Sequence, residues 1–181
     1  MKEAVDRRAA RTRKALHQAL LALILRKRYD DITVQDIIDE ADVGRSTFYA
    51  HYAGKEDLLR KGFSMLREIL TEARAAGTPI SFSRAMFDHA GEFRNVYRAM
   101  LGSRGSIIAL MEIRRIISDM AAEEFGRKAP GDALTREARV EFVAGAFITM
   151  LSWWLERKPK LTPEKVDAMF RAFIVRGVGA A

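Results

Sequence analysis

The sequence predicts an all-α protein of about nine helices, on three observations. Apolar residues recur at three- and four-residue spacing along almost all of its 181 residues, no alternating apolar–polar run persists, and the four prolines sit outside the periodic runs. Hydrophobic residues make up 49% and charged residues 30%, so the chain can bury a real core as one domain or two small ones. Cysteine is absent, which excludes a disulfide framework and a thiolate metal site. The basic N-terminus is followed by no signal-type apolar region, and no apolar run of membrane-spanning length is expected. The expectation is a soluble, cytoplasmic chain with no membrane partner.

The first helix is predicted over 10–28, with Ala15, Leu16, Ala19, Leu20, Leu23 and Ile24 on one face, and Asp30 and Asp31 interrupt it. Thr33 suits an N-cap, and Asp36 at the third helical position favours the N-terminus of a short helix reaching residue 40 or 41. Ala41-Asp42-Val43-Gly44 makes a turn. Asp42 enters the left-handed backbone region more cheaply than most residues, and Gly44 is an acceptable N-cap. A second short helix runs over 45–52, Ala53-Gly54-Lys55 breaks it, and a long helix follows over 55–76. Gly77-Thr78-Pro79 is the clearest punctuation. Helices are predicted next near 81–91, 93–102 and 106–125, the last two separated by Gly102-Ser103-Arg104-Gly105. After a loop over 126–132, a long apolar helix runs over 135–157 and stops before Pro159. Thr162-Pro163-Glu164 opens the last helix with an N-cap, a proline at the first helical position and an acidic first turn.

The net charge of +7 is unevenly placed. Residues 1–28 hold nine basic and two acidic side chains, whereas the remainder holds 22 of each. Beside a DNA-reading element such a segment supplies phosphate contacts and counterion release; elsewhere it is a solvated arm.

The two short helices and their turn have the shape of a helix-turn-helix, whose second helix enters the DNA major groove by its N-terminal end. That end carries Arg45, Ser46 and Thr47. Arginine can bond guanine O6 and N7 together, hydroxyls bond several base edges, and the threonine methyl can meet a thymine methyl. Tyr49, His51 and Tyr52 follow with groups suited to phosphate oxygens, and Lys55 adds a cation at the start of the next helix. Phe48 is expected to point inward with Ile37, Val43 and Leu58.

The run from Tyr29 through Leu59 resembles the DNA-binding domain of the TetR family of bacterial transcriptional regulators. The resemblance rests on Thr33-Val34-Gln35-Asp36-Ile37 before the turn, Thr47-Phe48-Tyr49 with His51-Tyr52 in the second helix, and Lys55-Glu56-Asp57-Leu58-Leu59 after it. Asp42 stands where the family most often has glycine, and Gly44 where a capping serine or threonine is common. The resemblance implies base contacts from Arg45, Ser46 and Thr47, and phosphate contacts from Thr33, Tyr49, His51 and Lys55. It implies a DNA-binding domain over 1–60 and a C-terminal domain over 61–181 that dimerises and holds an effector. Arg11 and Arg13 are candidates for backbone or minor-groove contact.

Two helices of the second half are more apolar than one face of a small domain needs. Phe142, Ala146, Met150, Trp153, Met169, Phe170 and Phe173 are the candidate dimer surface, alternatively an internal core. Phe82, Phe87, Phe93, Tyr97, Met100 and Met111 are the candidate lining of an effector pocket, and again could be plain core. His89, Arg114 and Arg115 are possible polar anchors. No metal constellation and no cofactor motif is found.

The favoured expectation is therefore a homodimeric repressor, released from a near-palindromic double-stranded DNA operator by a small-molecule effector. The alternatives are a helical enzyme, for which no nucleophile–base or phosphate-loop motif is found, and a ligand-independent architectural DNA binder.

Overall fold

The computed structural model describes residues 2–73, 80–125, 131–156 and 161–176, and these form nine α-helices and one 3-10 turn, with no strand among them. The end of the fourth predicted helix, the break at Gly77, Thr78 and Pro79, the loop over 126–130 and the stop before Pro159 lie outside the described residues. The chain divides into two compact units, one of residues 1–64 with 95–109, the other of residues 65–94 with 110–181.

In the first unit, α1 (Lys2–Ile24) begins and ends earlier than predicted and buries Leu16, Ala19, Leu20, Leu23 and Ile24, packing on α2 (Val34–Ala41). Beyond its end, Arg26 pairs with Glu40 at 2.5 Å and Lys27 with Asp36 at 2.6 Å, both on α2. With Arg28 3.9 Å from Asp30, three of the nine basic residues of the N-terminal segment are thus paired within the unit.

A 3-10 turn (Tyr29–Asp31) leads into α2, which opens with a complete capping box: the Thr33 side chain accepts from the Asp36 N–H, and Asp36 accepts from the Thr33 N–H. Asp42 ends α2 in the left-handed region (φ 51°, ψ 50°), as its side chain allows. Gly44 then N-caps α3 (Arg45–His51) without any side-chain bond, and a Cβ there would meet only ordinary contacts. On α4 (Lys55–Glu72), a Cβ at Gly62 would fall 2.4 Å from His17 Cε1 of α1.

Residues 95–109 belong to this unit through buried Val96, Tyr97 and Met100 of α6 (Arg94–Met100) and the start of α7 (Arg104–Phe125). The Asp30 carboxylate accepts the Arg104 N–H at 3.1 Å, capping α7 from 74 residues away. Gly105 lets the backbone lie directly on the Tyr29 ring, where a Cβ would sit 2.8 Å from Cγ.

The second unit packs α5 (Phe82–Glu92) and α8 (Ala133–Glu156) against α9 (Pro163–Arg176). Its core is aromatic. Phe87 lies 4.8 Å from Phe147 and edge-on to Trp154 and Phe170, and Phe147 stands perpendicular to Phe170 at 5.2 Å. Buried Ser83 donates to Asp167, which also pairs with Arg171 at 3.2 Å, so the one buried carboxylate of α9 is satisfied. The Arg94 guanidinium stacks on Trp154 and donates to its carbonyl at 2.7 Å, placing a cation at the C-terminal end of α8. By length and composition α8 is apolar enough to cross a membrane, contrary to the sequence expectation. Its Val143, Ala144, Phe147, Leu151, Trp154 and Leu155 are instead buried within the unit.

Candidate nucleic-acid interface

Among the residues of α3 only Phe48 is buried, held 5.8 Å from the ring of Tyr52, and this one anchor leaves Arg45, Ser46, Thr47, Tyr49 and Ala50 exposed. The first turn of the helix therefore carries one guanidinium and two hydroxyls to solvent, the groups that can meet base edges. Arg45 lies over the Tyr49 ring, its Cζ 5.8 Å from the ring centre, and Tyr49 is 48% exposed.

The residues expected on phosphates divide into two groups. Tyr49 and half-buried His51 present their rings at the surface. Thr33, Tyr52 and Lys55 are committed within the unit. The Thr33 hydroxyl donates to Asp36 at 2.6 Å, and Lys27 and Thr33 together hold that carboxyl well below the usual carboxylate range. Tyr52 is only 5% exposed, and burial pushes its phenol above the ordinary value, partly offset by the nearby charges of Arg13 and Lys61. The Lys55 ammonium directs its three hydrogens at the carbonyls of Tyr29 (2.9 Å), Asp30 (2.9 Å) and Ile32 (2.7 Å). It ties the 3-10 turn to the start of α4, and its charge sits over the Tyr29 ring. An ammonium with three carbonyl partners has no hydrogen left over.

Lys61 does a similar job that sequence reasoning did not assign. It donates to the His51 carbonyl at the end of α3 and to Asp57, which itself accepts the Ala53 N–H, so the break between α3 and α4 is held from both sides. Exposed Arg13 on α1 is brought near Tyr52. Exposed Gln35 on α2 donates to Asp39 at 2.8 Å.

The second unit places its candidates less uniformly. Phe82 and Phe87 are fully buried, Phe93 is half-buried with its ring 4.7 Å from His89, and Tyr97 and Met100 belong to the first unit. Met111 is 66% exposed, which removes it from any enclosed lining. Of the candidate dimer residues, Phe142 (62%) and Phe173 (44%) are exposed, while Ala146, Met150, Trp153 and Met169 are half-buried. Phe142, Ala146, Met150 and Trp153 follow one another at three or four residues, forming a stripe along α8. Phe170, 1% exposed, is instead part of the protomer's own aromatic core, three residues along α9 from Phe173 and facing inward.

Residues 16–61 match the family described as "Bacterial regulatory proteins, tetR family", and residues 77–176 match the "Transcriptional regulator C-terminal region". The chain is 41% identical over 81 residues to the uncharacterized HTH-type transcriptional regulator YxbF of Bacillus subtilis (strain 168). That match covers 44% of the chain and about a fifth (21%) of the length of YxbF. A TetR transcriptional regulator from Streptococcus agalactiae 2603V has a similar structure, with 26% identity and a TM-score of 0.65 over 96% of this chain and 99% of that one. The dihydroxyacetone kinase operon activator DhaS shares the fold at 17% identity, with a TM-score of 0.67 over 92% and 96% of the two chains.

Proposed function

Because the chain belongs to the TetR family of bacterial transcriptional regulators and so binds DNA, we propose that it is a homodimeric repressor. Its α3 enters the major groove of a near-palindromic operator, and a small-molecule effector releases it. DNA binding is the work of residues 1–60 and dimerisation and effector binding that of residues 61–181, of which 61–64 and 95–109 pack with the first unit. The observation that carries the DNA-reading part is the exposed first turn of α3, with Arg45, Ser46 and Thr47 on a helix fixed by buried Phe48. Arg45 reads a base edge, Ser46 and Thr47 support it, and Tyr49, His51 and Arg13 contact phosphates. Thr33, Tyr52 and Lys55 act by holding the helices that do so.

Dimerisation is supported by exposed Phe142 and Phe173, beside half-buried Ala146, Met150 and Trp153 on α8 and Met169 on α9. A symmetric dimer doubles the DNA contacts and imposes two inverted half-sites. The effector acts in the C-terminal domain, lowering operator affinity only as far as it prefers a dimer of different spacing.

The test is selection of bound sequences from random duplex DNA, with the mass of the complex taken by sedimentation. The expected outcome is two inverted half-sites, a dimer on each duplex, and an Arg45→Ala variant with an altered base preference within each half-site. A consensus lacking inverted symmetry, or an Arg45→Ala variant that loses affinity with its consensus intact, overturns the reading. Native mass spectrometry of the purified protein, with any co-purifying compound added back to the operator complex, tests release.

A further inference from the structure

We infer that Tyr49 is a specificity-determining positioning residue, whose ring holds the Arg45 guanidinium in place to read a base. This deepens the reading of Arg45 as a base contact and rests on it. Arg45 opens α3 and Tyr49 stands four residues on, one turn later on nearly the same face. Helical side chains lean toward the helix N-terminus, so a ring at the later position covers the earlier residue. Here it does so: Arg45 Cζ is 5.8 Å from the Tyr49 ring centre, within cation–π range.

The Tyr49 ring is itself fixed from below. It meets Phe48 edge-on, with ring centres 5.3 Å apart and planes at 85°, and Phe48 is completely buried beside Tyr52. A line of contacts therefore runs from the core through Tyr49 to the outermost charged group of the helix. Among the described residues no carboxylate forms an ion pair with Arg45, so the ring is what restrains this long side chain.

The restraint matters because a bidentate arginine–guanine contact needs the planar guanidinium fork in one orientation, and a free arginine must give up much rotamer freedom to adopt it. Held beforehand, Arg45 loses less on binding the right base and adapts less readily to a wrong one. A hydroxyl on a phosphate works differently: it strengthens binding to all sequences alike. Ring and hydroxyl can thus be separated by substitution.

The experiment compares wild type with Tyr49→Phe, Tyr49→Leu, Tyr49→Ala, Arg45→Ala and Arg45→Ala/Tyr49→Ala, measuring affinity for operator duplexes in which each half-site base is varied. Melting curves confirm that the variants remain folded, as the half-exposed position of Tyr49 allows. Tyr49→Phe is expected to keep the base preference that Arg45 sets, whatever uniform affinity it loses. Tyr49→Leu and Tyr49→Ala should lower that preference by about two- to fivefold, the worth of an exposed cation–π contact. Adding Tyr49→Ala to Arg45→Ala should lower it no further at that base. A Phe variant that loses discrimination as fully as the Ala variant, or an Ala variant weakened equally for every base, overturns the positioning role. An Arg45→Ala variant with unchanged base preference refutes Arg45 as a reader and the positioning role with it.

Discussion

Replacing Lys55 with methionine tests whether this lysine is an internal strut or a DNA ligand. Its Nζ donates to the Tyr29 and Asp30 carbonyls at 2.9 Å and to the Ile32 carbonyl at 2.7 Å, and lies 4.9 Å from the centre of the Tyr29 ring. Methionine keeps the stem and removes the charge. The exposed Asp30 carbonyl regains water at little cost, but the bonds to Tyr29 and Ile32 are part-buried. Losing a charged donor from each costs about 1.5 kcal/mol at the low end. The lost cation–π contact adds roughly 0.5 kcal/mol. A destabilisation of roughly 3.5 kcal/mol follows, a large part of the about 5–15 kcal/mol that a folded domain commands. Thermal unfolding by circular dichroism should show a midpoint lower by roughly 10 °C. The salt dependence of operator binding, measured well below both transitions, should keep its slope, whereas loss of one phosphate contact would reduce it by about 0.9. A variant that melts with wild type and loses that much slope would show that Lys55 works on DNA and that the strut argument is wrong.

Gly62→Ala should destabilise the protein by about 1–2 kcal/mol despite the helix propensity of alanine, because the new Cβ meets the His17 ring; adding His17→Ala should restore the midpoint, and a single variant that melts higher than wild type would refute the contact. Burial holds the His17 imidazole below its ordinary value of 6.5. Above pH 6.5 the ring is neutral in both states; as pH falls below 6.5 the unfolded chain takes up the proton first and stability declines until the folded-state value is passed. The melting temperature should therefore drop on acidification from pH 6.5 less steeply in His17→Gln than in wild type, and equal slopes would exclude the effect. Phe142→Glu or Phe173→Glu should give monomers in sedimentation with the protomer's melting little changed, since both side chains are exposed, whereas Phe170→Ala should cost about 3–5 kcal/mol by hollowing the aromatic core. A dimer mass for both glutamate variants would show that the interface lies elsewhere.

Much of the DNA-reading element is legible in the chain because its signals act within four residues. Thr33 and Asp36 close a capping box, Asp42 takes the left-handed position, and Phe48 is the one inward residue of α3, all as local rules require. The start of α9 at Pro163 after Thr162 is another such case. The cationic side chains were less legible. Arg26, Lys27 and Lys55 read as free charge for DNA, yet each finds a partner 9 to 26 residues away that only the meeting of helices supplies.

The sequence by itself therefore determined the helical class, the helix-turn-helix and the one inward residue of its second helix, since caps, turns and a one-sided apolar pattern are properties of a few neighbouring residues. Only the tertiary structure decided that residues 95–109 join the N-terminal unit, with Asp30 capping α7 and Tyr29 filling the space over Gly105. It alone also separated Phe170 in the core from Phe173 on the surface. On helices as apolar as α8 and α9, composition cannot say which face turns inward; the neighbours that fill the space do.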